Sequence, residues 1–232
     1  NPSNSIAEIK RKYEIPSTST WEIERAKRAK YDKTRIKPIT YRFFDTHFTY
    51  FDEMVLSRAR AEVMKHMLTG ENKGLITTRQ MSQQGREWSL VGVSKNIIER
   101  CAISSNTREG NYFFPLYLYD LSLLSSSERQ EELHLFTSQY DSKRGRRANF
   151  SPQFIAAFES ITGASLLFGT SSSIKQTVDA EDVFRYIYSI FYSPAYRQRY
   201  AEFLKTDFPR LPLTPSLDLF RELAKLGGKL VS

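Results

Sequence analysis

Side chains that can recognise the edge of a base are concentrated between residues 79 and 86. Arginine pairs with guanine through two hydrogen bonds, and asparagine or glutamine pairs with adenine in the same way. The segment supplies both kinds of group in Arg79, Gln80, Gln83, Gln84 and Arg86. A solvated loop can have the same composition, so two interpretations stay open: base contacts to nucleic acid, or an ordinary polar connection.

Positive charge is concentrated in a second segment, 143–147, around Gly145. Its cations are Lys143, Arg144, Arg146 and Arg147, and Asn149 follows. Guanidinium and ammonium groups bind phosphate irrespective of base sequence. We therefore expect phosphate contacts from the cations and a base contact from Asn149, with a solvated charged face as the alternative. Further phosphate candidates are Arg58 and Arg60, which stand at the expected start of a helix, where exposed backbone amides favour anions.

The motifs of DNA-processing enzymes are missing from the sequence. An adenine methyltransferase needs a glycine-rich loop for S-adenosylmethionine and an Asn/Asp-Pro-Pro-Tyr/Phe motif, but Asn1-Pro2-Ser3 lacks the second half of that motif. The chain also has no phosphate loop of the helicase type. Glu8-Ile9-Lys10 has the Glu-x-Lys spacing of a nuclease, but no strand or partner aspartate precedes it. We expect no catalytic residue and no cofactor site in this chain.

Histidine and cysteine are too sparse for a metal site. The three histidines, His47, His66 and His134, are scattered, and Cys101 is the single cysteine. Zinc sites need several such ligands at close spacing, and a disulfide needs two cysteines. We expect neither, and a reducing, cytoplasmic compartment is consistent with this composition.

Composition favours a folded, basic domain with an anionic partner. The 232 residues are 40% hydrophobic and 13% aromatic, which is enough for a sizeable core. Lys and Arg number 34 against 26 Asp and Glu, a formal charge of +8 that attracts polyanions. No apolar stretch approaches the roughly 18 residues of a membrane span, so we expect no membrane contact. The chain begins at Asn1 without a signal-peptide pattern, which suggests a piece of a longer protein.

The first half of the chain is predicted to be rich in strands. A basic lead-in contains the pattern of a capping box, Ser19-Thr-Trp-Glu22, and a short helix through Lys30. A β-hairpin with its turn at Asp45-Thr46 is predicted over 36–52, and a helix over 58–68. Strands are predicted over 74–79, 88–93, 97–103 and 112–119.

The second half is predicted to be helical. Ser151-Pro152 is typical of a helix start and Gly163 of a helix end. Asp179 is expected to cap a helix through Tyr192, Ser193-Pro194 to open another as far as about Lys205, and Gly227-Gly228 to close a short helix from Asp218. Aromatic residues between 184 and 204 recur at three- and four-residue spacing. This spacing is typical of two helices packed face to face, and it favours core packing over a platform for stacked bases.

These elements predict an α+β fold with a mixed strand-rich N-terminal half and a helical C-terminal half. We divide the chain into a basic helical connector at 1–35, a strand-rich part at 36–125 and a helical part at 126–232.

Three stretches, in the expected order, resemble the C-terminal specificity region of single-chain type ISP and related type IIG-like restriction-modification enzymes. They are the hairpin from Ile39 to Phe51, the helix and strand from Arg60 to Gln80, and residues 111–119 combined with the aromatic segment 184–213. Phe43 departs from the family pattern, because it stands where the family has proline.

The resemblance implies a target-recognition domain that follows an adenine-specific DNA methyltransferase in the same polypeptide. Such a domain binds double-stranded DNA and directs a methyltransferase and a nuclease located elsewhere in the protein, without catalysis of its own. S-adenosylmethionine is then expected in the upstream domain, and the compartment is a bacterial or archaeal cytoplasm. The alternative is a structural coupling module that holds together the domains of a larger DNA-processing enzyme. A stand-alone nuclease is a third hypothesis.

Overall fold

The computed structural model describes residues 5–15, 22–82, 85–119, 140–141, 144–167 and 176–231. In these ranges the helices are α1 (Ile6–Lys12), α2 (Ile23–Ala26), α3 (Ala61–Leu68), α4 (Pro152–Thr162), α5 (Ala180–Tyr192), α6 (Pro194–Arg199), α7 (Ala201–Leu204) and α8 (Leu217–Val231). None of these described helices is long and apolar enough to cross a membrane.

The strands form several small sheets. They are β1 (Ile36–Arg42), β2 (Asp45–Tyr50), β3 (Gly74–Thr78), β4 (Val91–Ser94), β5 (Ile97–Ile98), β6 (Asn111–Pro115), β7 (Tyr117–Tyr119), β8 (Tyr140–Asp141), β9 (Arg146–Ala148), β10 (Ser165–Leu167) and β11 (Thr177–Asp179). The strand orders are β2-β1-β5, β4-β3-β6, β7-β9-β8 and β10-β11. This mixture, with most of the helical residues after residue 150, confirms the predicted α+β fold.

The lead-in contains two short helices. α1 begins with a capping box in which Ser5 and Glu8 bond each other's backbone amides at 3.2 and 2.8 Å. The Glu-x-Lys triplet is therefore part of a helix start. The helix predicted through Lys30 is only α2, and Glu22 makes no side-chain cap there; residues 16–21 lie outside the described ranges.

β1 and β2 form the predicted antiparallel hairpin, and β5 pairs parallel with β1. The predicted turn position is wrong, because the turn lies at Phe43-Phe44 and Asp45 already belongs to β2. Phe43 packs its ring against Gly92 of β4, where a Cβ atom would lie 1.8 Å from the ring. The turn places Phe44 in the left-handed backbone region, at φ 62°.

β3 is the central strand of its sheet and is buried along all five residues. β4 and β6 pair antiparallel with it on either side. Leu75 belongs to the larger of two hydrophobic clusters and Ile76 to the smaller one. Since successive side chains of a strand point to opposite faces, β3 separates the two cores. The strands predicted at 88–93 and 97–103 are shorter, as β4 and β5, and the one at 112–119 is divided into β6 and β7.

The larger core joins the two halves of the sequence. Trp88 and Leu116 from the first half are buried in the same cluster as Phe158, Phe184 and Phe220 from the second. The aromatic segment lies in this core as predicted, and the rings of Phe191 and Tyr196 are 5.5 Å apart.

Local capping fixes the helices α4 and α5 at the predicted ends. The Ser151 hydroxyl accepts a bond from the Phe154 amide at 3.1 Å, and Gly163 ends α4 in the left-handed conformation at φ 66°. The Asp179 carboxylate accepts a bond from the Asp182 amide at 2.7 Å. The single helix predicted after Ser193 is instead two helices, α6 and α7, which meet at Tyr200.

The predicted end of the last helix is wrong, because α8 continues through Gly227 and Gly228. A Cβ atom on Gly227 would lie 1.9 Å from the carbonyl oxygen of Arg185 in α5. The rings of Tyr186 and Phe220 lie 4.6 Å apart in the same helix pair. Gly227 therefore permits a close helix crossing and is not a stop signal.

We expect Gly227→Ala to destabilise the domain by about 1–3 kcal/mol, because the methyl group has no room against the α5 backbone. Gly228→Ala is the matched control. Its Cβ would meet only the flexible Arg185 side chain, at 3.4 Å, and alanine favours the helix by up to about 1 kcal/mol. Urea unfolding of the two variants measures the difference, and equal stabilities would contradict the close crossing.

Stability is expected to fall at alkaline pH because of buried tyrosines. Burial raises the pKa of Tyr196 from 10.0 to about 12, and its hydroxyl donates to the Arg210 carbonyl at 2.7 Å. A raised folded-state pKa gives stability that is complete below pH 10 and is lost as the pH rises towards 12. Tyr196→Phe should lose about 1 kcal/mol at neutral pH and show a shallower alkaline decline. Unfolding curves across this range test it, with Tyr13→Phe as the exposed control; an unchanged decline would contradict the assignment.

Candidate nucleic-acid interface

Four arginines from separate parts of the chain line one cleft of about 650 Å³. Arg79 follows β3, Arg60 precedes α3, and Arg100 and Arg108 lie between β5 and β6. Gln80 shares this basic cleft. The sequence candidates Arg60, Arg79 and Gln80 therefore meet at one site.

The acidic residue in the lining of the basic cleft is Glu62. Its carboxylate lies 2.9 Å from the Lys65 ammonium, and that hydrogen bond lowers the pKa of Glu62. The lysine balances the charge of the glutamate, so the four guanidinium groups determine the sign of the local potential. An anion is the complementary ligand.

Arg79 and Gln80 are exposed side chains on a fixed backbone. The Arg79 guanidinium lies 3.7 Å from the Asp207 carboxylate, and 62% of its side chain is accessible. The backbone amide of Met81, two residues after Arg79, donates to the Lys205 carbonyl at 3.1 Å. An exposed ion pair of this kind contributes little free energy, so Arg79 can exchange Asp207 for a ligand.

A second cleft, of about 470 Å³, adjoins the first and shares Arg60 and Arg100 with it. Arg58 and the hairpin residues Tyr41 and His47 complete this side. Arg58 and Arg60 are both in the left-handed backbone region, at φ 57° and 49°, and the Arg60 side chain donates to the Asn111 carbonyl at 3.1 Å. Non-glycine residues in this region cost roughly 1–3 kcal/mol each and concentrate at functional sites.

Arg100 and Arg108 are the members of the basic cleft that the sequence analysis missed. Arg108 lies in the 3-10 turn Thr107–Glu109, within the polar run 104–110. Its position, as a basic residue in a Ser/Asn/Gly-rich connection between strands, could have identified Arg108 as a candidate. Arg100 gave no such signal, because its neighbours indicated a buried strand.

Two predicted contact residues lie in or next to β9, and both side chains donate to backbone carbonyls. The Arg146 side chain is buried: its guanidinium lies 3.6 Å from the centre of the Tyr117 ring, and it donates to the Glu71 carbonyl at 3.1 Å. The Asn149 amide group donates to the Pro115 carbonyl at 3.0 Å. Burial of the Arg146 side chain argues against its predicted phosphate contact, whereas Asn149 is half-buried and stays a predicted base contact.

The remaining candidates are exposed or lie outside the described residues. Arg144 and Arg147 are exposed, and the Arg144 guanidinium is 3.9 Å from the Asp141 carboxylate. Arg86 is also exposed. Gln83, Gln84 and Lys143 are outside the described ranges and stay sequence predictions. Within those ranges, no cluster of three or more His, Cys, Asp or Glu residues is placed to hold a metal ion.

A match to a protein family decides the identity of this fold. Residues 4–232 match the family described as the Type ISP C-terminal specificity domain. The chain belongs to that family. The match confirms the resemblance drawn from the three sequence stretches, and it groups the chain with a specificity domain rather than with a catalytic domain. The comparison with curated proteins finds no match.

Solved structures share the fold of this specificity domain at low sequence identity. A cryo-EM structure of a DrdV–DNA complex has a TM-score of 0.61 and 21% identity, over 97% of this chain and 20% of that chain. The ATP-dependent Type ISP restriction-modification enzyme LlaBIII, bound to DNA, gives 0.59 and 17%, over 94% and 12%. A nuclease-deletion mutant of the Type ISP enzyme LlaGI, with a DNA substrate mimic, gives 0.55 and 18%, over 91% and 15%. The chain thus spans between 12% and 20% of these longer chains.

We expect Arg146→Ala to destabilise the specificity domain by about 2–4 kcal/mol, because it removes a buried charge-assisted hydrogen bond and a cation–π contact. Arg147→Ala, the neighbouring exposed arginine, should stay within about 0.5 kcal/mol of the parent. Urea unfolding gives both values. Equal stabilities of the two variants would contradict the structural role of Arg146 and favour its predicted phosphate contact.

Proposed function

We propose that this specificity domain binds double-stranded DNA through the basic cleft and selects the sequence on which the rest of its polypeptide acts. The observation that carries the proposal is the meeting of four arginines and a glutamine at one concave site. Guanidinium groups supply phosphate contacts, and arginine and glutamine are also the side chains that pair bidentately with guanine and adenine. The DNA-bound states of DrdV, LlaBIII and LlaGI, which share the fold, support it.

The residues divide into two roles by position. Arg79 and Gln80 follow a rigid, buried strand and are exposed, which suits base contacts that need precise geometry. Arg58, Arg60, Arg100 and Arg108 surround them and suit phosphate contacts. Arg86 continues the 79–86 segment as a base candidate, and Arg144 and Arg147 are outer phosphate candidates.

The activity that this selection serves lies beyond the chain. We propose an adenine-specific methyltransferase domain in the same polypeptide, with S-adenosylmethionine as its cofactor, and a nuclease, in the cytoplasm of a bacterium or archaeon. Support comes from membership of the type ISP specificity-domain family and from the shared fold with LlaBIII and LlaGI, which are Type ISP restriction-modification enzymes.

A coupling role is the second candidate, and an apolar groove favours it. The groove has a volume of about 680 Å³ and is lined by aromatic and aliphatic side chains that include Tyr112, Phe114 and Phe208. Tyr112 and Phe114 are 46% and 42% exposed. Exposed apolar surface of this kind is typical of contacts to another protein domain.

We expect the triple variant Arg79→Ala, Arg100→Ala, Arg108→Ala of the full-length protein to bind duplex DNA more weakly and with a shallower salt dependence. Each lost phosphate contact reduces the slope of log K against log salt by about 0.9, so the loss of Arg100 and Arg108 should lower the slope by roughly 2. Fluorescence titration of a labelled duplex at several salt concentrations measures it.

The matched control removes the same charge from the C-terminal helix: Arg221→Ala, Lys225→Ala, Lys229→Ala, three exposed positions of α8. The control should change the slope less than the cleft variant. If the two variants behave alike, the cleft is not the DNA contact and the coupling role is favoured.

A further inference from the structure

We infer that Glu109 is a positioning residue that holds the two walls of the basic cleft together and thereby sets which bases the cleft accepts. The inference rests on the proposed DNA recognition and adds a residue that touches no DNA. Its basis is a hydrogen-bond network, centred on the buried Glu109 carboxylate, that joins the 79–86 segment to the 104–109 turn.

The Glu109 carboxylate is saturated by donors from both walls. Only 3% of the residue is exposed. Its Oε1 atom accepts from the backbone amide and from the hydroxyl of Ser82, at 2.8 and 2.9 Å. Its Oε2 atom accepts from the Ser104 hydroxyl at 2.6 Å. One side chain thus connects residues that are more than twenty positions apart in the sequence.

Asn106 closes the network into a rigid unit. Its Nδ2 atom donates to the Ser82 hydroxyl at 2.6 Å, and its Oδ1 atom accepts from the Arg108 amide at 3.1 Å. The turn that presents Arg108 is therefore fixed to the same serine as the segment that presents Arg79 and Gln80.

The residues just before Ser82 are held by a separate set of contacts. The Met81 amide bonds the Lys205 carbonyl at 3.1 Å, and Arg79 lies 3.7 Å from Asp207. Glu109 therefore fixes the segment one residue beyond this anchor, at Ser82. Gln80 immediately precedes the two anchored residues, Met81 and Ser82. Their positions matter because bidentate base contacts tolerate displacements of only about 0.5 Å.

Burial of the Glu109 carboxylate costs free energy, so it needs an explanation beyond the filling of space. A buried carboxylate requires nearly complete hydrogen bonding, because an unsatisfied buried charge costs free energy. An apolar residue could fill the space, but it would not fix the separation of the two walls. The charge is thus best explained by the position that it imposes on Ser82 and the 104–109 turn.

The test uses the full-length protein and selection from a library of random duplexes. Glu109→Ala removes every acceptor. Glu109→Gln keeps an oxygen for Ser82 and can donate to the Ser104 hydroxyl. Ser82→Ala removes the two hydrogen bonds of the hydroxyl, to Glu109 and from Asn106, and keeps the carboxylate and the amide bond to it. Glu222→Gln, an exposed glutamate of α8, controls for the lost negative charge. Thermal unfolding is recorded for each protein.

We expect Glu109→Ala to lose about tenfold or more in discrimination between the selected sequence and its single-base variants, the range of one bidentate contact. Affinity for unselected duplex should stay within about twofold, because the phosphate-contacting arginines remain. Glu109→Gln should recover part of the discrimination. Ser82→Ala should lose part of the discrimination without a change in thermal stability. This variant therefore tests the inference even if Glu109→Ala unfolds.

The outcomes separate the two proposals. A parent protein that enriches no sequence would refute the proposed function itself, and this inference with it. A parent that selects a sequence, with variants that keep the same discrimination, would overturn only the role of Glu109. Loss of specific and unselected binding in equal measure would show that Glu109 has a merely structural role.

Discussion

The arrangement of the domain depends on β3, a short strand that is buried on both faces. Leu75 faces the larger core and Ile76 the smaller one, and β4 and β6 bond its two edges. A shift of register by one residue would exchange these faces and place each side chain in the wrong core. Register is therefore strongly specified, and Arg79 and Gln80 emerge from the strand at a defined position. A side chain that recognises a base must extend from a backbone of fixed position, because its hydrogen bonds depend on angle as well as distance.

Two arginines of the basic cleft, Arg60 and Arg79, make only weak contacts with neighbouring groups. Arg79 has an exposed partner in Asp207, and Arg60 bonds a backbone carbonyl, which leaves its charge uncompensated. Such contacts orient a side chain at little free-energy gain, and a phosphate can replace or supplement them. Arg146 illustrates the opposite case, because its guanidinium is sealed against Tyr117 and the Glu71 carbonyl. Arg79 and Arg146 are both candidates from the sequence, but Arg79 is exposed and Arg146 is buried.

The elements that could be predicted from sequence are those with local causes. The two ends of α4 and the start of α5 followed from Ser151, Gly163 and Asp179, because caps act within one turn of helix. The errors have long-range causes. Gly227 continues a helix because Arg185 lies against it, and Phe43 in the hairpin turn packs its ring against Gly92 of another sheet. The candidate site follows the same division: Arg79 and Gln80 were predicted from residue type, whereas Arg100 joins them only through tertiary folding.

The aromatic segment connects the helical half to the backbone next to Arg79 and Gln80. The hydroxyls of Tyr186 and Tyr196 bond the carbonyls of Pro212 and Arg210, at 2.8 and 2.7 Å, and so hold the extended stretch after α7 against the core. That stretch begins at Lys205 and Asp207, the two residues that anchor Met81 and Arg79. A coupling role and a recognition role are therefore not exclusive. The helices that pack the core also fix the backbone from which the candidate base contacts extend, so damage to this packing should appear as relaxed sequence choice before it appears as lost binding.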